Sequence, residues 1–384
     1  MLLRSDRIEM DTTTLSIIVP VFQRRDTASQ FFQSLRETLT SPSKTQIIIV
    51  DDGSPSETSV LLHKESRLLR EHGATVELVS HETNMGCASS LNDGFHRADG
   101  KAIILADSDL ILRPGWDNSL IESLNPHSLS ESKLAGMAAS ALLYPQSGGV
   151  QHAGVRFGSF WLRHWLLNAE ATCLPEGRQS VQLAPFALFA MTREVYDTIG
   201  GIDTSYRNGY EDFDFQMRAR AEGFRTSLVT SHPSYHWEMR SGPARNENRK
   251  ANLGRFISKW GSTLEDDATD RIVEELKTGV SRGKAIIDVT RMTATSGDVL
   301  ERLLDQVGNV DLRRPSRLES LPLKDSDAAG GRIYFVDNFV ELLDYYYWLK
   351  QSATSLTDWV VDQYGNSMPL KGIISRSWPG RKIR

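Results

Sequence analysis

Two short apolar runs that break off into paired carboxylates constrain this chain more than anything else in it. Residues 46–50 read QIIIV and run straight into Asp51-Asp52-Gly53-Ser54. Residues 102–106 read AIILA and run into Asp107-Ser108-Asp109. Runs this short and this rich in β-branched side chains are buried strands covered on both faces. Acid, glycine and serine directly after them are turn chemistry. Strands covered on both faces belong to parallel α/β sheets, and such sheets bind ligands beyond the carboxyl ends of their strands. Both acidic pairs fall at that edge.

The flanking sequence fits the same pattern. Residues 15–22 (LSIIVPVF) read as the first buried strand, and residues 76–80 read as a further strand. Between the strands, residues 26–39 place Phe31, Leu35 and Leu39 on one helical face, and residues 59–70 and 88–98 also read as helices. Residues 81–86 form a polar loop. From 136 to 182 the chain is rich in Gly, Trp and His and predicts loops and short strands. Residues 184–191 are apolar, 192–198 predict a short helix, and 212–222 predict a helix that ends at Gly223. Around 261–267 the composition turns polar and acidic, which marks a boundary. The expected organisation is a tail over 1–14, a main domain over 15–264 and a smaller C-terminal region over 265–384. The last has apolar stretches of its own at 285–289, 299–307 and 333–348. Residues 334–348 (YFVDNFVELLDYYYW) predict a helix with a large apolar face.

Composition narrows the classes. With 40% hydrophobic and 24% charged residues the chain is that of a folded globular protein. A net charge of −5 supplies no global basic field for nucleic acid. The two cysteines, Cys87 and Cys173, form neither a CxxC pair nor a zinc spacing, and they suit a reducing compartment. The opening MLLRSDRIEMDTTT is too polar for a signal peptide, and the apolar runs are too short to span a bilayer. A cytoplasmic location is the expectation, with peripheral contact to a membrane left open by the basic end at Arg376, Arg381, Lys382 and Arg384.

Five constellations carry chemistry. Asp107 and Asp109 could hold a hard divalent cation or meet a ribose hydroxyl, and a diphosphate nearby would need Mg²⁺ or Mn²⁺ between itself and them. Asp51 and Asp52 could accept a hydrogen bond from a base N–H. In both cases the competing reading is a solvated turn. Asn84-Met85-Gly86 and Asn92-Asp93-Gly94 offer close approach to a ligand or simply a loop and a helix interior. Glu211-Asp212-Phe213-Asp214, after Gly200-Gly201-Ile202-Asp203, offers a partly buried carboxylate that could take a proton from a hydroxyl; the alternative is an acid-rich first turn of a helix. His236, between Tyr235 and Trp237, is a candidate ligand for Mn²⁺.

Taken in order, LSIIVPVFQR, IIIVDDGS, NMGCASSLNDG, AIILADSD, GGIDTSYRNGYEDFDFQMRARAEGF and SYHW resemble the GT-A family 2 glycosyltransferases, the large inverting group. The resemblance covers residues 15–260. It implies a GT-A fold, a Rossmann-like and mostly parallel sheet flanked by helices. It implies that Pro20, Asp51, Asp52, Asn84, Gly86, Asn92 and Asp107 line the site of a nucleotide-sugar donor carrying UDP, GDP or dTDP. It further implies that Asp109 and His236 hold Mn²⁺ or Mg²⁺, and that Asp212, beside Glu211, is the general base for an acceptor hydroxyl. Arg218 stands where the family often has an arginine, with a structural ion pair as the alternative. The chain lacks the QxxRW motif and the membrane helices of the processive members, so a single-sugar transfer is expected. Two other classes were weighed. A sugar nucleotidyltransferase would open with a Gly-rich, Arg-containing loop where this chain has Pro20-Val21-Phe22-Gln23. Against a non-catalytic nucleotide-sugar-binding module stands the joint presence of Asp109, Asp212 and His236.

Overall fold

The computed structural model describes residues 15–124, 135–158, 161–177, 179–238, 242–281, 284–289, 293–308, 310–315, 331–336, 358–362 and 367–370. The first half of the chain alternates strand and helix: β1 (Leu15–Val21), α1 (Arg25–Thr38), β2 (Thr45–Asp51), α2 (Ser56–Glu71), β3 (Thr75–Ser80), α3 (Cys87–Arg97) and β4 (Ala102–Ala106). There follow β5 (Leu110–Ile111), α4 (Trp116–Ser123), β6 (Gly136–Leu143), β7 (Val150–His152), β8 (Val155–Gly158), β9 (Trp161–His164), β10 (Gln179–Val181) and β11 (Leu188–Thr192). Then come α5 (Arg193–Ile199), α6 (Glu211–Ala221), β12 (Arg225–His236) and α7 (Gly242–Trp260). The C-terminal part holds α8 (Asp267–Ser281), β13 (Ala285–Asp288), α9 (Thr293–Val307), β14 (Leu312–Arg313), β15 (Arg332–Val336), β16 (Trp359–Asp362) and β17 (Ser367–Pro369).

Two compact units result. One comprises Met1–Val155 with Glu170–Leu264, the other Arg156–Ala169 with Glu265–Arg384. The second unit thus takes in a stretch from inside the first, which no composition shift marks.

In the first unit the sheet runs β10-β12-β6-β11-β4-β1-β2-β3, with β5 added beside β12 and β7 beside β6. Strands β3, β2, β1 and β4 are parallel, β6 and β12 are parallel, and β11 runs antiparallel between β4 and β6. The sheet is mostly parallel, as expected, and its antiparallel insertion at β11 is the part that short apolar runs do not announce. Ile17, Ile18, Val19, Ile47, Ile48 and Ile49 are fully buried, which is why β1 and β2 read as unbroken apolar runs. Helix α1 lays Phe31, Phe32 and Leu35 into the core on one side. Trp116 closes the base of that cluster and donates its indole N–H to Thr38 Oγ1 at 3.1 Å.

The second unit has its own sheet, ordered β14-β13-β15-β16-β17, with β17 its only antiparallel strand among the described residues. Ile272, Leu276, Ile286, Val299, Leu303, Ile333, Phe335 and Val361 form its core. The helix expected over 334–348 is corrected at its start: Arg332–Val336 is a fully buried central strand. A run covered on both faces shows neither helical nor alternating periodicity, so strand and buried helix look alike in sequence. The rest of that stretch, and the basic end of the chain, lie outside the described residues. No helix among the described residues is long and apolar enough to cross a membrane.

Candidate active site

The carboxyl ends of β1, β2 and β4 share one edge of the sheet, and the motif residues gather there. Pro20 is half-buried, one residue before the end of β1, in register with Val50. Asp51 ends β2 and Asp107 follows β4, where the Asp107 amide donates to the Ala187 carbonyl at 2.8 Å.

The chain after Asp107 turns back as β5, which pairs antiparallel with the end of β12 so that Leu110 lies opposite His236. The Trp237 amide closes the ladder on the Asp109 carbonyl at 3.1 Å. This pairing carries His236 to the acidic turn: its Nε2 stands 2.9 Å from Asp109 Oδ1 and 3.8 Å from Asp107 Oδ2. One ligand atom from each of Asp107, Asp109 and His236 falls within 4.8 Å of the others. Two carboxylate oxygens and an imidazole nitrogen make a donor set suited to a borderline divalent ion such as Mn²⁺, so the residues fit the cofactor the sequence implied. Burial opposes the charged form of His236, but the Asp109 bond and the charges of Asp109, Asp107 and Glu238 outweigh it and raise its pKa.

Asp51 and Asp52 are each 3% exposed and heavily bonded. Asp51 accepts from the Ser54 amide at 2.9 Å and the Ser59 hydroxyl at 2.6 Å. Asp52 accepts from the amides of Met85 at 2.7 Å and Gly86 at 2.9 Å and from Asn84 Nδ2 at 2.9 Å. Buried carboxylates need such donors. The arrangement makes Asp52 the peg on which the Asn84–Gly86 loop hangs, and glycine is required beneath it. Gly53 has φ +70°, and a Cβ there would lie 2.6 Å from the Thr83 carbonyl carbon. His81 completes the cluster, with Nδ1 2.8 Å from Asp52 Oδ1 and Nε2 3.0 Å from Asp93 Oδ2.

Asn92 has a different placement. Its amide exchanges hydrogen bonds with the backbone of Ile202, in the loop after α5, and so anchors that loop to α3. Arg218 grips the same loop from α6, donating to the carbonyls of Ile199 and Gly201 at 2.8 Å each while pairing with Asp214. The structural reading of Arg218 is therefore the one its contacts support.

Glu211 and Asp212 open α6. Asn208, Gly209 and Tyr210 lead into it at φ values of 56°, 142° and 73°, an unusual run for an approach to a helix. The Gly209 amide donates to Glu211 Oε2 at 2.5 Å, and Asn252 holds the Arg207 and Gly209 carbonyls at 2.9 and 3.0 Å. Asp212 Oδ1 accepts from the Phe213 amide at 2.9 Å. Asp214, one turn face away, is fully buried and taken up by Arg218, Lys259 and the Trp260 indole, so it braces α6.

Cys87 opens α3, directly after the Asn84–Gly86 loop. Burial raises its thiol pKa well above the ordinary value, and the negative charges of Glu211, Asp107, Asp212 and Asp52 add to the effect. The sequence does not single out His81, nor Tyr144, Gln151 and Glu238 behind His236, and it names Asp93 only as part of Asn92-Asp93-Gly94. His81, Tyr144, Gln151 and Glu238 belong to no dense motif, although His81 at a strand end was a usable signal.

Residues 16–130 match the family model described as Glycosyl transferase family 2. The chain is similar to an uncharacterized glycosyltransferase of Haemophilus influenzae, 23% identical over 257 residues, which covers 65% of this chain and 78% of that protein. It is also similar to the O-antigen biosynthesis protein RfbC of Myxococcus xanthus, 24% identical over 240 residues, covering 60% of this chain but only 18% of that protein's length. Among solved structures it resembles GalNAc-T7 with UDP, GalNAc and Mn²⁺, with a TM-score of 0.52 at 16% identity over 70% of this chain and 51% of that one. That likeness is one of fold.

Proposed function

We propose that this chain, whose residues 16–130 match the model of glycosyl transferase family 2, is a member of that family and transfers one sugar from a nucleotide-sugar to an acceptor hydroxyl, with inversion at the anomeric carbon. The observation that carries the reading is the meeting of Asp107, Asp109 and His236 at the carboxyl edge of the sheet, where β2 also ends in Asp51. Asp107 and Asp109 project from the end of β4, and His236 is delivered to them by the β5–β12 pairing. These three side chains would hold Mn²⁺ or Mg²⁺. When bound, the ion neutralises charge on a diphosphate leaving group.

The chain's own residues supply the remainder. Asp51 and Asp52, with Pro20 and the Asn84–Gly86 loop, form the wall for the base and ribose of the donor. Asp52 keeps the Met85 and Gly86 amides aligned, and so fixes the shape of that wall. Asp212 acts as the general base: it takes the proton of the acceptor hydroxyl as the oxygen attacks the anomeric carbon from the face opposite the leaving group. Glu211 secures the turn ahead of it through the Gly209 amide, which sets the direction of Asp212. Asn92 contributes by holding the Gly201–Ile202 loop.

The test is donor hydrolysis. Purified protein is incubated with UDP-, GDP- and dTDP-sugars, with Mn²⁺ or with EDTA, and the released nucleotide is measured. Release from one donor that needs the metal and disappears in Asp109→Ala supports the reading and names the donor. If no nucleoside diphosphate binds in calorimetry with Mn²⁺ present, the glycosyltransferase reading is wrong.

A further inference from the structure

His236 has two ring nitrogens, and only Nε2 faces the carboxylates of Asp107 and Asp109. The other, Nδ1, lies 2.7 Å from the side-chain oxygen of Gln151. That contact has one chemically consistent arrangement. The Gln151 amide nitrogen faces Glu238 Oε2 and the His236 carbonyl, both at 3.4 Å. A carboxylate and a carbonyl are acceptors only, so an NH₂ group must point at them. Turning the amide over would set its oxygen against two acceptors. The oxygen therefore faces His236, and an oxygen there requires a proton on Nδ1. Tyr144 steadies the far end of the chain of contacts, its hydroxyl 3.1 Å from Glu238 Oε2.

The backbone shows how Gln151 comes to point this way. β7 pairs with β6 through Leu142–His152 and Leu143–Val150, which leaves Gln151 as an extra residue in the ladder, a β-bulge. Bulges redirect a side chain that regular alternation would send elsewhere. Gln151 is 4% exposed, so its polar ends depend on these partners. β12 has its own irregularity between Val229 and Ser234, just before it delivers His236. Two departures from regular sheet thus meet at one imidazole.

We propose that Gln151 is a positioning residue that keeps a proton on His236 Nδ1, so that Nε2, which donates to Asp109 in the metal-free chain, is the nitrogen that gives up its proton and binds a metal beside Asp107 and Asp109. The inference rests on the metal-site reading above and adds to it the group that makes the histidine a ligand. An imidazole whose second nitrogen is held by an acceptor is both oriented and a better donor at the first. Such an N donor also favours Mn²⁺ over Mg²⁺, which prefers oxygen.

The test uses the full chain labelled with ¹⁵N-histidine. Zn²⁺ serves as a diamagnetic probe in long-range ¹H–¹⁵N spectra, and Mn²⁺ affinity is read by electron paramagnetic resonance. In the native chain with Zn²⁺, His236 is expected to show a protonated Nδ1 and a metal-shifted Nε2. Gln151→Leu is expected to weaken Mn²⁺ binding by roughly 10–100-fold, the range for losing such a support, with a smaller effect on Mg²⁺. A protonated Nε2 or an Nδ1 ligand in the spectrum of the Zn²⁺-loaded native chain overturns the proposal, and that spectrum needs no variant to fold. Unchanged Mn²⁺ affinity in a folded Gln151→Leu chain overturns it as well. A native chain that binds neither ion removes the metal site and this inference with it, whereas binding through the wrong nitrogen removes the inference alone.

Discussion

Asn92 and Ile202 exchange a complete pair of hydrogen bonds: Asn92 Nδ2 donates to the Ile202 carbonyl at 2.9 Å, and the Ile202 amide donates back to Oδ1 at 2.7 Å. The pair ties α3, which begins beneath the Asp52 cluster, to the loop that precedes the Glu211–Asp212 turn. The approach is so close that a Cβ on Gly201 would lie 2.6 Å from Asn92 Oδ1. Asn92→Ala leaves two backbone groups to find new partners and should cost about 1–3 kcal/mol of stability. Gly201→Ala should injure the same contact. Urea unfolding of the two single variants and the double variant checks this: the double should lose less than the sum, because one clamp is broken twice. Strict additivity would mean that the two residues act separately.

The metal reading makes an ordered prediction. Asp109, 2.9 Å from His236 Nε2, sits closest to the imidazole, and Asp107 is at 3.8 Å. Asp109→Ala and His236→Ala should each weaken Mn²⁺ binding by more than the ~10–100-fold expected for a supporting residue such as Gln151. Titration calorimetry with Mn²⁺ measures this directly. Binding that survives both substitutions would place the ion elsewhere.

Asp212 and Asp214 are two residues apart and should fail in different ways. Asp212→Asn should keep the melting temperature and lower turnover by on the order of 10²-fold or more, since the base is removed and the shape kept. Asp214→Ala should do the reverse. It strips a fully buried carboxylate from Arg218, Lys259 and Trp260 and leaves Arg218 without its buried partner. The loss should be about 3 kcal/mol, at the low end of the range for breaking a buried pair because Lys259 is 41% exposed and keeps its water. Thermal melts and single-turnover assays on the two variants separate the roles. Normal turnover in Asp212→Asn would require another base.

How much of this was legible in the sequence follows from what kind of signal each part leaves. β1, β2, β3 and β4 and the helices between them are local, and their apolar residues and turn residues announce them to within three residues. The acidic turns at Asp51 and Asp107 were visible for the same reason. His236 could be named as a candidate ligand, but its partnership with Asp109 came only from the resemblance, because what brings the two together is the β5–β12 pairing, and a strand of two residues has no sequence signature. Gln151 was invisible, since a bulge aims it and nothing in QHAG marks a bulge. Asn92 was read as lining the donor site, and its type and position gave no hint of the Ile202 backbone that takes up its amide. The strand at Arg332–Val336 was taken for the start of a helix because a strand buried on both faces has no period to read.

His81 gives the site a pH dependence that can be worked out in sign. Burial disfavours its charged form, but its bonds to Asp52 and Asp93, and then their charges, outweigh that and raise its pKa above the ordinary 6.5. Arg97 faces the same cluster, with Nη1 3.8 Å from Asp93 Oδ1. A histidine whose pKa is higher folded than unfolded stabilises the fold fully below the unfolded value of 6.5, and that contribution is lost as pH rises through the folded value. Stability should therefore fall from mildly acidic to mildly alkaline pH in the native chain, relative to His81→Gln. That variant should be less stable at acidic pH and nearly equal once the imidazole is neutral. Because Asp52 aligns the Met85 and Gly86 amides, donor affinity in the same range should follow the protonation of His81. Denaturant unfolding of both chains across the range, with an NMR titration of the His81 ring, measures the effect. A difference in stability that stays flat with pH would show that the imidazole holds the loop by shape alone, without its charge.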